Sequence, residues 1–232
     1  LTEATFQNWE AADKKRNGRS LKRLLDIVLA LVLLVPVIPA LAVLYVVVLV
    51  KDGRPFIYRS RRNTSFDQEF DLMKIRTMRT VPAHENVGIT GGHKKGRITK
   101  LGRYLRNHRL DELPQLWNVL KGEMSFVGPR PPEPRYVAAC PEIYQQVLLD
   151  RPGITGMASI IFHSHEEKML AECNSQQESE DVYVRRCIPR KAHLDMIYHR
   201  NKSPMLDIYV LYLTAAKLLP LPGRRAARIR GQ

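Results

Sequence analysis

The chain has 232 residues, with 37 Lys and Arg against 23 Asp and Glu and a formal charge of +14. That is length for one sizeable domain, and the charge points to an anionic partner: nucleic acid, a phospholipid surface or a phosphorylated substrate. An ordinary soluble enzyme is excluded, because residues 27–50 carry no charged side chain.

A basic stretch opens the chain, with Lys14, Lys15, Arg16, Arg19, Lys22 and Arg23 ahead of the apolar run. As a straight helix the run would extend about 36 Å, enough to cross a bilayer core of about 30 Å. Pro36 and Pro39 lie near its middle, where each removes a backbone donor and crowds the turn before it, so a bend or break is expected. Basic residues follow the run as well: Lys51, Arg54, Arg59, Arg61 and Arg62. Clusters on both flanks suit entry and exit through one leaflet. The expectation is a re-entrant helical hairpin at 21–50, its halves 27–35 and 40–50 each reaching about 14 to 17 Å. Asp26, at the edge of the run, is expected to pair with Lys22 or Arg23 one turn away.

After the run, residues 56–60 and 69–77 read as two short strands, joined through the turn-rich stretch 63–67. Residues 80–96, with Pro82 and Gly88, Gly91, Gly92 and Gly96, read as a loop. Ile98, Leu101 and Leu105 share a helix face, and Leu113, Leu116, Trp117 and Leu120 share another on a short helix closed by Gly122. Asp111 and Glu112 fall between these helices, and Pro114 suits a first turn, which places Asp111 at or near a helix N-terminus. The stretch 128–132 is too proline-rich for helix or strand and forms a stiff loop that aims Arg130.

Residues 133–150 read as helix, 151–156 as a turn, and 179–219 as helical pieces interrupted at Pro189 and Pro204. His163, His165, Glu166 and Glu167 fit a polar helix start better than a closed metal site. Met205, Leu206, Ile208, Tyr209, Leu211, Tyr212 and Leu213 lead into Lys217 and the tail arginines Arg224, Arg225, Arg228 and Arg230. Both an interfacial helix and a core helix with a solvated tail satisfy that periodicity. Cys140, Cys173 and Cys187 form no C-x-x-C pair, so neither a disulfide framework nor a zinc site is indicated. The fold class is α+β and mainly helical, with a small β-hairpin, and no P-loop or Rossmann fingerprint is present.

The segment 110–131, LDELPQLWNVLKGEMSFVGPRP, resembles the signature of the bacterial sugar transferases, the monotopic polyprenyl-phosphate phosphoglycosyl transferases, in their small single-domain form. Lys22-Arg23, the stretch 74–78, Ile98-Thr99 with Gly102-Arg103, the stretch 151–156, and Ser203 with Asp207 extend the resemblance. It implies transfer of a sugar 1-phosphate from a UDP-sugar to undecaprenyl phosphate, releasing UMP, through a covalent phosphosugar-aspartate, as the first step of a bacterial surface glycoconjugate. By match to the motif Asp111 would be the nucleophile and Glu112 the Mg²⁺ ligand. Lys74, Arg76, Arg106 and Arg130 match basic positions for the substrate's phosphates, and Arg109 joins them by its nearness to Asp111.

The resemblance also implies the cytoplasmic leaflet of the bacterial inner membrane, with a basic segment 1–20, the hairpin 21–50, a cytoplasmic catalytic domain 51–219 and a basic tail 220–232. It leaves a homodimer open. Val35 stands before Pro36 where the family usually has serine. A non-catalytic basic adaptor for acidic lipids or nucleic acid would also explain the charge and the apolar run. It does not explain the ordered Asp111-Glu112 and Gly128 to Pro131 segments, and nucleic acid drops out as a partner.

Overall fold

The computed structural model describes residues 3–79 and 97–218, and for 3–19 the backbone alone. The loop expected at 80–96 and the tail 220–232 lie outside the described residues. Helix α1 (Glu3–Asp52) leads into strands β1 (Ile57–Asn63) and β2 (Glu69–Ile75), then helix α2 (Lys100–Asn107), a 3₁₀ turn at Leu110–Glu112 and helix α3 (Gln115–Lys121). Strand β3 (Ser125–Val127), helices α4 (Pro134–Ala139) and α5 (Pro141–Val147) and strand β4 (Gly153–Thr155) follow. The chain closes with α6 (Met157–Ile161), α7 (His163–Ala171), α8 (Gln176–Val182), a π turn at Tyr183–Cys187, α9 (Ile188–Asn201) and α10 (Pro204–Leu218). The molecule is thus mainly helical.

Helix α1 runs as one assigned helix through Pro36 and Pro39, so the expected interruption between two halves is not seen. In an apolar run the helix is the conformation that satisfies the most backbone groups internally. Val35, unlike a serine, offers no side-chain partner to a freed carbonyl. Ser20–Asp52 is long and apolar enough to cross a bilayer. Its outward side, including Val28, Val32, Val35, Ile38, Val43 and Val50, is exposed, whereas Ala30, Val37 and Val48 are buried.

Strands β1 and β2 pair antiparallel from Ile57 with Ile75 to Asn63 with Glu69, as expected of the two short strands, although the first runs on to Asn63 and the second stops at Ile75. Phe70, Leu72 and Ile75 turn inward. The first two join Leu116, Val119, Met124, Phe126, Tyr198 and Val210 in one core, to which α1 adds Ala30 and Val37. Stretch 151–156 differs from its expected turn. Residues 153–155 form β4, paired parallel with β3. A Cβ on Gly153 would sit 2.2 Å from the Gly128 nitrogen, so glycine is what allows the two strands to close. Stretch 133–150 divides into α4 and α5 at Cys140, because Pro141 opens the second helix. Pro189 lies in the first turn of α9 and does not interrupt it. Helix α10 combines both expected readings: Val210 is buried while Met205, Ile208, Tyr209 and Tyr212 are exposed.

The apolar stretch of α1 is fastened to the same body on both flanks. Ahead of it Arg23 donates to the Val119 and Leu120 carbonyls at 2.6 and 2.7 Å, placing a cation at the C-terminus of α3. Lys22 bonds Asp207 at 2.5 Å and the Tyr198 hydroxyl at 3.0 Å. Asp26 does not take the Lys22 or Arg23 partnership expected of it. It is buried and accepts from the Ser125 hydroxyl and the Phe126 N–H, both at 3.1 Å. At the other end Arg76 donates to the carbonyls of Asp52, Gly53 and Pro55 at 2.6 to 2.8 Å. Thr99 adds a 2.7 Å bond to the Asp52 carboxylate, and Val48 packs with Ile75 and Leu105.

Asp26→Ala strands the Ser125 hydroxyl and the Phe126 N–H in the core. It should lower stability by about 1–3 kcal/mol, read as an earlier thermal melt in detergent, whereas a surface Arg61→Ala should shift the melt little.

Candidate active site

The turn carrying Asp111 and Glu112 is set by its neighbour. Arg109 adopts a left-handed conformation at φ 56°, the only non-glycine residue with positive φ among the described residues. That conformation disfavours a residue with a Cβ by about 1–2 kcal/mol, and it turns the chain sharply after α2. Glu112 then donates its N–H to the Arg109 carbonyl, closing the 3₁₀ turn. Asp111 therefore precedes α3 by a turn of its own, and the residue that caps α3 is Pro114. Asp111 thus stands near the N-terminus of α3, as expected, in a separate turn just ahead of it.

Asp111 is 6% exposed. Beside it Glu112 Oε1 accepts from Lys74 Nζ at 3.2 Å and from Arg109 Nη1 at 3.3 Å. Arg106 donates through Nε to the Thr77 hydroxyl at 2.8 Å. The two carboxyls respond oppositely to one neighbourhood. Burial and the Glu112 charge raise the pKa of Asp111, against the pull of Lys74, Arg106 and Arg109. Burial also works to raise Glu112, yet Lys74, Arg130 and Arg109 outweigh it and hold that carboxyl below its ordinary value. Lys74 is itself lowered, by burial first and Arg130 next, while Glu112 resists. Burial likewise lowers Arg106.

Arg130 is exposed on the proline-rich loop, and its charge reaches Glu112 and Lys74. The loop is braced from β1. Arg62 bridges to Glu133 at 2.9 Å, Arg135 meets the other Glu133 oxygen at 2.6 Å, and Asn63 donates its N–H to the Pro132 carbonyl at 3.1 Å.

The structure thus brings Lys74, Arg106, Arg109 and Arg130 around the two carboxylates. Arg76 does not join them: it is 7% exposed and donates to the end of α1. In place of the expected phosphate contact it holds the membrane-type helix to β2.

Sequence reasoning missed Asn118, which is fully buried. Its amide accepts from the Met73 N–H at 3.0 Å and donates to the Asp71 carbonyl and to Glu123 at 2.9 and 2.6 Å. It pins α3 to β2, and so fixes the distance between the element after Glu112 and the strand bearing Lys74. An asparagine on the otherwise apolar face of LPQLWNVL was the available signal. His163 opens α7 as expected, with its pKa lowered by burial and by the charges of Arg109 and Arg130.

Among the described residues no group of three or more His, Cys, Asp or Glu is gathered for a metal. Mg²⁺ requires less, since it binds through one or two carboxylates together with substrate phosphates and waters. Glu112, kept ionised by its cations, and Asp111 beside it form such a donor pair.

A family model described as bacterial sugar transferase matches residues 17–220. The chain is 32% identical over 201 residues to a Xanthomonas campestris pv. campestris protein named UDP-glucose:undecaprenyl-phosphate glucose-1-phosphate transferase, covering 85% of this chain and 38% of that protein. It is 36% identical over 150 residues to a Bacillus subtilis (strain 168) protein named putative undecaprenyl-phosphate N-acetylgalactosaminyl 1-phosphate transferase, covering 65% of this chain and 79% of that protein. A Salmonella typhimurium protein named undecaprenyl-phosphate galactose phosphotransferase is 30% identical over 223 residues, covering 90% of this chain and 42% of its own length. The chain therefore spans less than half the length of the Xanthomonas and Salmonella relatives.

Because folding raises the Asp111 pKa, its contribution is favourable below the unfolded value and is lost as pH rises through the folded value, leaving a penalty once both states are ionised. Asp111→Asn should accordingly raise the melting temperature at pH 7 and narrow its gain over wild type at pH 3. A melt lower than wild type at pH 7 contradicts this reading.

Proposed function

The chain belongs to the bacterial sugar transferase family, and from that premise we propose that it moves a sugar 1-phosphate from a UDP-sugar to undecaprenyl phosphate in two displacements at Asp111. In the first, an Asp111 carboxylate oxygen attacks the phosphorus that bears the sugar, the bond to the UMP oxygen breaks, and UMP leaves. In the second, an oxygen of undecaprenyl phosphate attacks the same phosphorus and the Asp111 carboxylate is released. One nucleophile thereby serves a water-soluble and a lipid substrate in turn.

The observation that carries this reading is a buried Asp111 beside a Glu112 that Lys74 and Arg109 bond, with the two carboxyls shifted in opposite directions. A raised pKa makes the Asp111 carboxylate the stronger base and so the better nucleophile. Glu112, held ionised, suits the work of a charged ligand. Bound Mg²⁺ would be held by Glu112 with Asp111 beside it, and would neutralise diphosphate charge. Lys74, Arg106, Arg109 and Arg130 supply further positive charge where the substrate's phosphates would lie. Arg106 and Arg109 act on Asp111 from its own side, and Arg130 acts from the facing loop.

For α1 we propose the re-entrant arrangement in the cytoplasmic leaflet of a bacterial inner membrane. Arg23 and Asp26 bond α3 and β3, and Asp52 bonds the Arg76 and Thr99 side chains of the same body. A spanning helix would carry these two flanks to opposite faces, about 30 Å apart, so the re-entrant course requires α1 to bend at Pro36 and Pro39 while keeping its helical backbone. The exposed Met205, Ile208, Tyr209 and Tyr212 of α10 supply a second apolar contact with lipid.

With a panel of UDP-sugars and Mg²⁺, the purified chain should release UMP from at least one. Chelation with EDTA should stop release, and Asp111→Asn should reduce it by about a thousandfold or more. Release from none of the panel, or undiminished release by the variant, overturns the proposal. For the membrane arrangement, single cysteines at Arg16 and Arg54 in sealed vesicles should react with an impermeant thiol reagent from the same side. Labelling from opposite sides overturns it.

A further inference from the structure

Behind the Arg130 loop lies a cavity of about 40 Å³. At about 10–15 Å³ for each water-sized sphere, that is room for three or four waters. One six-membered heterocycle displaces about as much, and a purine displaces more. One wall is a single face of α9, where Ile188, Lys191, Ala192 and Asp195 line the cavity at helical spacing. The rest of the lining includes Arg62, Arg130, Tyr144 and the Glu133 carboxylate, whose oxygens Arg62 and Arg135 already hold.

That face of α9 would be expected to be apolar. Instead it carries a buried carboxylate, which burial pushes up to about 7, with Lys191 and a bond from the Ala158 backbone working the other way and Asp150 adding to the rise. A carboxylate has about four acceptor sites, so the Ala158 bond leaves capacity on Asp195. Lys191, held by Glu166 at 3.1 Å and by the Tyr183 hydroxyl at 3.3 Å, stays at the same wall. The π turn at Tyr183–Cys187 runs directly into α9, and such turns occur often at functional sites.

We propose that this cavity is the base subsite of the nucleotide, taking uracil with its N3–H donated to the Asp195 carboxylate. This rests on the transferase reading above and deepens it. Uracil presents one donor between two carbonyl acceptors. Lys191 and Arg62 are N–H donors for the flanking carbonyls, and Tyr144 and Ile188 give the ring apolar walls. Arg130 lines the cavity and also acts on Glu112, so it stands between the base and the phosphates. Cytosine presents an acceptor at N3 and meets the ionised form of Asp195 unfavourably, so the discrimination belongs to pH above the Asp195 value of about 7. Guanine could satisfy the carboxylate but exceeds the space.

The test titrates the full chain in detergent with UMP, CMP and GMP at a pH about two units above the Asp195 value of about 7, where the carboxylate is ionised. Wild type should bind UMP at least about tenfold more tightly than CMP or GMP, the discrimination expected of one bond to a charged acceptor. Asp195→Asn, whose amide can serve either pyrimidine, should narrow the UMP to CMP ratio to about twofold. Ala192→Leu fills the cavity without altering a charge, keeps the fold testable if the first variant melts early, and should weaken UMP by about tenfold. Equal binding of the three nucleotides by wild type, or a uracil preference unchanged in both variants, overturns the subsite. The two readings fail separately. UMP preference through Asp195 with no UMP released from any UDP-sugar overturns the transfer alone, and UMP release with no base preference overturns the subsite alone.

Discussion

Two arginines far apart in sequence each meet backbone carbonyls at a helix C-terminus, one on either flank of the apolar stretch of α1. Arg23 reaches from α1 to the last carbonyls of α3, and Arg76 reaches from the end of β2 to the last carbonyl of α1 and to those of Gly53 and Pro55 just beyond it. Helix C-termini leave four carbonyls without internal partners, and a guanidinium satisfies one or two of them while opposing the negative end of the helix. Bonds of this charged kind contribute about 1.5–3 kcal/mol each. Helix α3 follows the Asp111-Glu112 turn, and β2 carries Lys74. The apolar helix is therefore tied to both sides of the candidate site, and Asn118 closes the frame by joining α3 to β2.

Inside that frame, position decides the chemistry of each carboxyl. Asp111 and Glu112 are neighbours in sequence, yet only Glu112 has Lys74 and Arg109 within bonding distance. Burial thus dominates Asp111, and cations dominate Glu112. Four cations surround two carboxylates, a surplus of positive charge that suits a diphosphate. The left-handed Arg109 separates Asp111 from α3, and the strain it carries is characteristic of residues held for function.

Much of this arrangement was legible in the sequence because it is written in local patterns. The run 69–77 after a turn-rich stretch marked β2, and Gly122 marked the end of α3, where it adopts φ 85°. The signature at 110–131, with the basic positions that match it, marked the candidate site. What the sequence hid is long-range. Asp26 has cations within its own helical turn, but it bonds Ser125, 99 residues away. Arg76 is two residues from Lys74, yet the two serve different ends, because β2 stops at Ile75 and Arg76 turns towards Gly53. Strands β3 and β4 have three residues each, too few for a period, and their pairing had no sequence signal. The left-handed Arg109 had no glycine to announce it.

The central claim is that Asp111 carries the phosphosugar between two substrates. Incubation with a UDP-sugar carrying ³²P in the phosphate next to the sugar, followed by acid quench and peptide mapping, tests it at the bond itself. The account predicts label on the peptide containing Asp111, lost when undecaprenyl phosphate is added before the quench. Lipid product formed with no labelled protein, or label on a different residue, would contradict it.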